Sequence, residues 1–356
     1  MLNPLFWKNR RVLITGHTGF KGGWLRLWLG TLGARVSGLS LAPATKPNLF
    51  ELANVSDGLE HNKIIDLRDQ KDVHNTLNII EPEIIFHLAA QPLVRQSYHD
   101  PIETYETNIM GLVHLYEAIR QTPSIKTMIN ITTDKCYENK EWDWGYREND
   151  PLGGRDPYSS SKSCAEIISQ AYRASFFNDS SISLATARAG NVLGGGDWAE
   201  DRLVPDILSA IAEGSQPRIR YPQATRPWQH VLDPLSGYLL LAERLHEDAS
   251  LSGAWNFGPY DKDNLNVAQI TELLLELYDS NLGWASDQAD QPHEAHFLKL
   301  DCSKAANQLD WHPRWSCRQA LSAVVSWHKN YLAGENPAKL CRNQITLFNQ
   351  NSEESI

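Results

Sequence analysis

The chain has 356 residues, and 33 Lys and Arg against 43 Asp and Glu give it a formal net charge of −10. This acidic balance, without a basic run, excludes proteins that coat nucleic acid through phosphate contacts. No apolar run approaches the ~20 residues of a spanning helix, and the N-terminal charges follow the apolar residues, unlike a signal peptide. We therefore expect a cytoplasmic protein with no nucleic-acid or membrane partner.

The first half of the chain alternates short apolar runs with helical patterns. Strands are expected at 11–15, 34–41, 83–89, 127–133 and 183–188, with 64–67 as a short strand or the exit of one. Helical spacing covers 24–32, 69–80, 101–120 and 157–177. Strands alternating with helices of this length predict an α/β fold with a doubly wound parallel sheet of the Rossmann type.

After Asn191 the pattern becomes less regular, with short helices at 205–213, 233–246 and 267–278 and a strand at 254–257. This predicts a smaller mixed C-terminal domain. We expect residues 1–190, with segments near 231–258, to bind a dinucleotide, and 191–230 with 259–342 to bind substrate. The polar segment 343–356 is expected to be a flexible tail. Five cysteines without a C-x-x-C pair predict neither a metal site nor disulfides.

A glycine-rich loop follows the first strand and opens the first long helix. It reads Gly16-His17-Thr18-Gly19-Phe20-Lys21-Gly22. Glycines at this spacing allow a tight turn, backbone approach to a pyrophosphate and close packing of helix on strand. The free N–H groups of the helix N-terminus attract the anion. The loop therefore predicts a dinucleotide site formed by Gly16, His17, Thr18, Gly19, Phe20 and Gly22.

The carboxylate that usually holds the adenosine ribose is missing from this site. No Asp or Glu occurs between Lys21 and Phe50, and Ser40 stands where that acid is expected. Asp66 and Leu67 are either neighbours of the adenine or merely a strand end and a helix start. The sequence itself leaves NAD and NADP open.

A second motif, Tyr158-Ser-Ser-Ser-Lys162, lies at the start of a predicted helix. Residues at i and i+4 share one helix face, so the Lys ammonium can stabilise a Tyr phenolate and make it a usable base. Thr133 ends the fifth strand, at the edge of a doubly wound sheet where ligands bind. These three residues are therefore candidates for the reaction centre.

The loop, Thr133 and Tyr158-x-x-x-Lys162, with His87-Leu-Ala-Ala90 and Asn108, resemble the extended short-chain dehydrogenase/reductase superfamily, in its NAD-dependent epimerase/dehydratase family. The resemblance covers nearly the whole chain. It implies NAD as cofactor and a homodimer, or dimer of dimers, paired through the helices near 102–120 and 157–177. The cofactor contacts it implies add Leu88, Ala89, Ala90, Asn108, Tyr158 and Lys162.

The residues after Thr133 separate the branches of this superfamily. Most sugar-nucleotide 4,6-dehydratases carry Glu at the position of Lys135. The sequence Thr133-Asp134-Lys135 instead resembles their CDP-glucose branch. Six further segments resemble the same branch: GHTGFKGGWL, HLAAQPLVR, NKEWDWGYRE, RAGNVLGGGDWA, RPWQHVLDPLSGYLLLA and PHEAHFLKLD. The resemblance implies a lyase that acts on CDP-glucose in the synthesis of deoxysugars and O-antigen precursors.

The resemblance implies that Tyr158 takes the proton of the C4 hydroxyl group while Thr133 hydrogen-bonds the C4 oxygen. Asp134 protonates the C6 hydroxyl, and Lys135 is expected to accept the C5 proton as a neutral amine. Further residues are expected to hold the substrate: Gln91, Asn191, Arg202, Arg226 and His296. A 4-epimerase or reductase needs no elimination pair, and a non-catalytic NAD-binding protein would be expected to lack Tyr158 or Lys162.

Overall fold

The computed structural model describes residues 2–287 and 296–350. The first four residues of the PHEAHFLKLD motif lie outside the described residues. The described strands are β1 (Arg11–Thr15), β2 (Arg35–Ser40), β3 (Leu59–Ile64), β4 (Ile84–His87), β5 (Thr127–Ile131), β6 (Ser183–Ala189), β7 (Asn191–Leu193), β8 (Arg218–Ile219), β9 (Thr225–His230), β10 (Gly253–Phe257), β11 (Asn264–Asn266) and β12 (Ala285–Ser286).

The α-helices of the same residues comprise one short N-terminal turn and thirteen later segments. They are α1 (Pro4–Trp7), α2 (Phe20–Thr31), α3 (Leu49–Leu52), α4 (Gln70–Ile80), α5 (Val94–His99), α6 (Pro101–Tyr105), α7 (Gly111–Arg120), α8 (Pro157–Tyr172), α9 (Leu203–Ala212), α10 (Leu232–Glu247), α11 (Val267–Tyr278), α12 (Ser303–Leu309), α13 (Cys317–Leu332) and α14 (Pro337–Gln350). A π-helical turn at 106–110 joins α6 to α7, so the predicted helix 101–120 is continuous.

The main sheet has seven strands in the order β10-β6-β5-β4-β1-β2-β3. All six strand pairs are parallel. The central strands β4, β5 and β6 are buried along their whole length, as expected when helices cover both faces. The predicted doubly wound Rossmann-type fold is confirmed, and its topological switch point lies between β1 and β4, where ligands bind.

Two buried clusters hold the helices against this sheet. One lies between α2, α10 and the C-terminal helices, with Trp24, Trp28 and Leu239 at its centre. The other packs α4, α7 and α8 on the opposite face, around Leu77 and Leu115. Because both faces are covered, the carboxyl ends of the strands are left as the open edge of the sheet.

A smaller unit faces that open edge. β7 and β11 flank β9 in a mixed three-stranded sheet, and β8 pairs with β12. A third cluster joins α9, α11 and α13 around Ile207, Ile270 and Leu321. The chain returns from this unit to the main sheet, where β10 pairs with β6. The expected division of the chain into two binding domains stays a prediction.

Residues 64–67 begin at the last residue of β3, Leu59–Ile64, and lead out of it, which agrees with the alternative that they are a strand exit. One local expectation was wrong. The expected tail from Asn343 continues α14 as far as Gln350, because Cys341, Ile345 and Phe348 form a buried stripe at i, i+4 and i+7. Residues 351–356 lie outside the described residues. Within the described residues, no helix is long and apolar enough to cross a membrane.

Candidate active site

One cleft of about 630 Å³ runs along the carboxyl ends of β1, β4, β5 and β6 and continues beneath α9. It is lined at one end by the glycine-rich loop and in the middle by the residues that follow β5. Its other end lies between α9 and the segment 216–221. The cleft thus joins the glycine-rich loop, the residues after β5 and the first turns of α9 in one cavity.

The glycine-rich loop has a backbone that only glycine permits at two positions. Gly16 has φ +79°, and a Cβ there would lie 2.7 Å from the Ala89 nitrogen. A Cβ at Gly22 would lie 2.1 Å from the Gly16 oxygen. The turn therefore brings the N-terminus of α2 against the cleft, where its first N–H groups, which have no acceptor inside the helix, can bind an anion.

The predicted cofactor residues divide into two groups. Gly16, Thr18, Gly19, Phe20, Gly22, Ser40, Asp66, Leu67, Leu88, Ala89, Ala90, Tyr158 and Lys162 all line the cleft. His17 and Asn108 do not belong to this lining. The His17 ring packs on Gly38, and its Nε2 lies 2.8 Å from Asn62 Oδ1. Asn108 is 4% exposed and hydrogen-bonds both backbone groups of Gln91.

At the ribose end of the loop, the hydroxyl groups of Thr18 and Ser40 lie 2.8 Å apart. Asp66 follows β3 and lines the same end of the cleft, and its Oδ2 is 2.6 Å from the Arg68 guanidinium. Its hydrogen bonds with Arg68 lower the pKa of Asp66. This end of the cleft therefore offers a hydroxyl pair and an ionised carboxylate to a bound ribose.

Thr133, Tyr158 and Lys162 come together in the middle of the cleft, none more than 9% exposed. Asp156 caps α8 by accepting a hydrogen bond from the Ser159 nitrogen, and this fixes the start of the helix that carries Tyr158. Burial raises the pKa of Tyr158 to about 12, although a hydrogen bond between Tyr158 and Thr133 opposes this. Lys162 Nζ donates to the Ile131 carbonyl at 3.3 Å, and burial lowers its pKa to about 8.

Asp134 and Lys135 line the same part of the cleft. Asp134 is 1% exposed and accepts a hydrogen bond from Thr133 Oγ1 at 3.0 Å. Within the described part of the chain its Oδ2 has no hydrogen-bond partner. Burial raises the pKa of Asp134, although the Lys135 charge opposes this. A carboxyl group in this setting is suited to carry and release a proton.

A buried ion pair that the sequence analysis missed lies directly behind these residues. Arg188 on β6 contacts Glu166 on α8 at 2.8 Å, and both side chains are at most 3% exposed. Glu166 also accepts hydrogen bonds from Thr132 and Thr186. Since Glu166 lies one helical turn after Lys162, the pair ties this part of α8 to β6 and to the end of β5.

The five predicted substrate residues lie in different places. Asn191, Arg202 and Arg226 line the cleft, as do Tyr158 and the first turns of α9. Gln91 and His296 do not form part of its lining; Gln91 hydrogen-bonds Thr104 and the Leu93 carbonyl. His296 is exposed, and its carbonyl oxygen accepts a hydrogen bond from the Thr225 nitrogen.

Sequence reasoning also missed Lys21, the sixth residue of the glycine-rich loop. Its side chain lines the cleft near Asp134, Lys162 and Arg202. Burial, with the Arg202 charge, lowers the pKa of Lys21 to about 8. The sequence feature that could have identified Lys21 is its positive charge, inside a loop that otherwise needs only small and apolar residues.

Comparison with known proteins gives matches over most of the chain. The family model described as GDP-mannose 4,6 dehydratase matches residues 13–324. A curated CDP-glucose 4,6-dehydratase from Salmonella typhimurium is 51% identical over 354 residues, which is 98% of each chain. A dTDP-glucose 4,6-dehydratase from Xanthomonas campestris is 24% identical over 89% of this chain and 92% of its own.

Solved structures share the fold at low identity. A dTDP-glucose 4,6-dehydratase from Streptomyces venezuelae, solved with NAD bound, superposes with a TM-score of 0.78 at 20% identity and covers 92% of this chain and 99% of its own. A UDP-glucose 4-epimerase from Thermotoga maritima gives a TM-score of 0.79 at 21% identity, over 90% and 99%. Dehydratases and epimerases thus share this architecture, so the fold does not separate the two reactions.

Proposed function

The chain belongs to the GDP-mannose 4,6-dehydratase family, and we propose that it converts CDP-glucose to CDP-4-dehydro-6-deoxyglucose by NAD-dependent removal of water. The observation that carries this proposal is the pairing of Asp134 and Lys135 with Thr133, Tyr158 and Lys162 in one cleft. An epimerase needs the last three alone. The 51% identity to a CDP-glucose 4,6-dehydratase supports the same reaction and the same nucleotide.

The glycine-rich end of the cleft fits NAD. Because Gly16 and Gly22 lack a Cβ, the loop packs tightly on the Ala89 backbone and on itself, and this turn brings the N-terminus of α2 to the cleft. Thr18, Ser40 and Asp66 line the cleft and would hold the ribose hydroxyls. Bound there, the nicotinamide would supply a hydride acceptor that is restored within each turnover.

In the first step, Tyr158 accepts the proton of the C4 hydroxyl as that carbon is oxidised. The Thr133 hydroxyl holds the reacting oxygen, and Lys162 fixes the ribose beside Tyr158. The raised pKa of Tyr158 makes its phenolate a strong base once formed. For the step to proceed, the phenolate form of Tyr158 must therefore be stabilised by bound NAD and CDP-glucose.

In the second step, the new 4-keto group makes the C5 proton acidic. Lys135 accepts this proton, and Asp134 protonates the C6 hydroxyl as it leaves. The raised pKa of Asp134 suits this role, because only a protonated carboxyl can donate. Hydride return to C6 and proton return to C5 complete the product. Asn191, Arg202 and Arg226 hold the diphosphate meanwhile, with Arg suited to a bidentate contact.

Replacing Lys135 with Met should separate the two steps. We expect Lys135→Met to oxidise C4 but to lose at least ~100-fold in formation of the 6-deoxy product, because general base catalysis supplies factors of this size. The measurement is single-turnover absorbance of the reduced nicotinamide, followed by the mass of the sugar. Lys140→Met, an exposed lysine outside the cleft, is the control. Unchanged product formation by Lys135→Met would remove Lys135 from the mechanism.

The assembly we propose is a homodimer, or a dimer of dimers. Two neighbouring helical segments, 101–120 and 157–177, leave large apolar side chains exposed, among them Ile102 at 70% and Ile167 at 53%. A surface of this kind is typical of a protein interface. We place the enzyme in the cytoplasm, where NAD and nucleotide sugars are available, and its product among deoxysugar precursors.

Incubation with NAD and glucose linked to CDP, dTDP, GDP or UDP tests this function. The readout is a product lighter by one water, with the alkaline absorbance of a 4-keto-6-deoxy sugar. Product from CDP-glucose alone is the expected result. Product from a different nucleotide sugar alone would contradict the CDP assignment, and a C4 epimer of unchanged mass would contradict the dehydratase.

A further inference from the structure

The end of the cleft beneath α9 is where a nucleotide base must lie if the proposed function is right. The sugar reacts at Tyr158, and Arg202 and Arg226 line the next stretch. Beyond them the cleft is walled by Leu203, Ile207 and Ile219. Apolar walls of this kind suit the faces of a flat base, so polar groups at this end would contact its edge.

Three acidic side chains line the cleft around α9, and two of them are already engaged. Asp197 contacts Arg202 at 2.8 Å. Asp201 contacts Arg220 at 2.7 Å and Arg95 at 3.1 Å. In the third, Asp206, the carboxylate accepts no hydrogen bond and forms no ion pair from any residue within 2–287 or 296–350. Asp206 is thus the acid of this end that remains available to a ligand.

Asp206 lies in the first turn of α9, next to the wall residues Leu203 and Ile207. The residue keeps access to solvent, and it borders the cleft. Partial burial of the carboxyl group raises the pKa of Asp206 to about 6; the Arg220 charge opposes this and the Asp201 charge adds to it. The carboxyl group is therefore an acceptor that gains from a new N–H donor.

The pyrimidine bases differ at position 4 in whether they donate or accept a hydrogen bond, and a carboxylate can distinguish the two. Cytosine carries a 4-amino group, which donates hydrogen bonds, whereas uracil and thymine carry O4, which only accepts. A carboxylate accepts from the 4-amino group of cytosine but repels O4, and both effects favour cytosine.

We propose that Asp206 selects cytosine nucleotides by accepting a hydrogen bond from the 4-amino group at the α9 end of the cleft. This inference rests on the proposed function for the position of the base and adds the residue that reads it. A good base contact of this type discriminates by roughly 5- to 150-fold.

The test measures binding of CDP, UDP and a CDP analogue with hydrogen in place of the 4-amino group, by calorimetry in saturating NAD. For the unaltered protein we expect CDP to bind at least ~10-fold more tightly than either other nucleotide. In Asp206→Ala all three affinities should agree within about threefold, since no carboxylate is left to distinguish them. Asp206→Asn should shift the preference towards UDP, because its amide can donate to O4.

Glu213→Gln is the matched control, because it removes an acid at the other end of α9, outside the cleft lining. It should keep the full preference for CDP. A purely structural role of Asp206 would weaken all three nucleotides equally and leave their ratios unchanged, which would overturn the proposal. Equal binding of CDP and the analogue by the unaltered protein would overturn it without any variant.

The failure of this inference is distinguishable from failure of the proposed function. If the unaltered enzyme dehydrates CDP-glucose while Asp206→Ala retains the preference for CDP, the function stands and the role of Asp206 falls. If the unaltered enzyme dehydrates only dTDP- or UDP-glucose, the assigned substrate falls first, and the selection of cytosine falls with it.

Discussion

Tyr158→Phe should lower kcat for CDP-glucose by about 10²- to 10⁴-fold, because it removes the oxygen that we propose as acceptor of the C4 hydroxyl proton. The first step would then fail, so no reduced nicotinamide should form in a single turnover. Binding of NAD and CDP should change little, because the ring remains in place and only the hydroxyl is lost.

Tyr172→Phe is the control for this prediction. It removes a phenol from the same helix, α8, where the hydroxyl donates to Glu117 at 2.7 Å outside the cleft. We expect its kcat to stay within about twofold, as for surface changes remote from a reaction centre. A Tyr158→Phe enzyme with nearly full kcat would show that another group, or water, takes the proton.

Arg188→Met should produce the largest loss of stability among the variants considered. The change leaves the Glu166 carboxylate buried without its cation and removes the hydrogen bond from Arg188 to Tyr137. Breaking a buried pair in this way costs about 3–5 kcal/mol of unfolding free energy. Because domains have only ~5–15 kcal/mol in total, urea titration should show a markedly lower midpoint.

Two comparisons test the physical reason for this loss. Adding Glu166→Gln to Arg188→Met removes the uncompensated charge, so the double variant should be more stable than Arg188→Met alone. Arg318→Met breaks a solvent-exposed pair with Glu276 and should leave the urea midpoint unchanged. If Arg188→Met and Arg318→Met have the same midpoint, the buried pair does not stabilise the fold.

The sequence was most informative where local pattern alone decides structure. The alternation of apolar strands with amphipathic helices predicted the parallel sheet, because each element has its own period. The same reasoning placed the glycine-rich loop and Thr133 at strand ends, which doubly wound topology brings to one edge. Tyr158 and Lys162 share a helix face for the same local reason.

Features that depend on distant segments could not be read in this way. Glu166 and Arg188 meet only because α8 packs across β5 and β6, and nothing in either local sequence marks the pair. Asp206 lies in a short helical pattern, and its unpaired carboxylate becomes visible only beside the engaged Asp197 and Asp201. The α14 stripe was hidden by the many polar residues between Cys341, Ile345 and Phe348.

The direction of the His17 side chain could not be predicted from the sequence either. His17 lies within the glycine-rich loop, which made it a candidate for cofactor contact. The missing side chain of Gly38 leaves space behind the loop, and the His17 ring fills that space instead of the cleft. Burial lowers the pKa of His17 and favours the neutral ring there.

The most direct test of the proposed reaction follows the C4 hydrogen of the substrate. CDP-glucose deuterated at C4 is incubated with the enzyme and NAD in ordinary water, and the product is examined by NMR and mass spectrometry. The proposed mechanism predicts a 4-keto-6-deoxy sugar that has lost one water and carries the deuterium at C6. Deuterium retained at C4 of a sugar of unchanged mass, or lost to solvent, would contradict it.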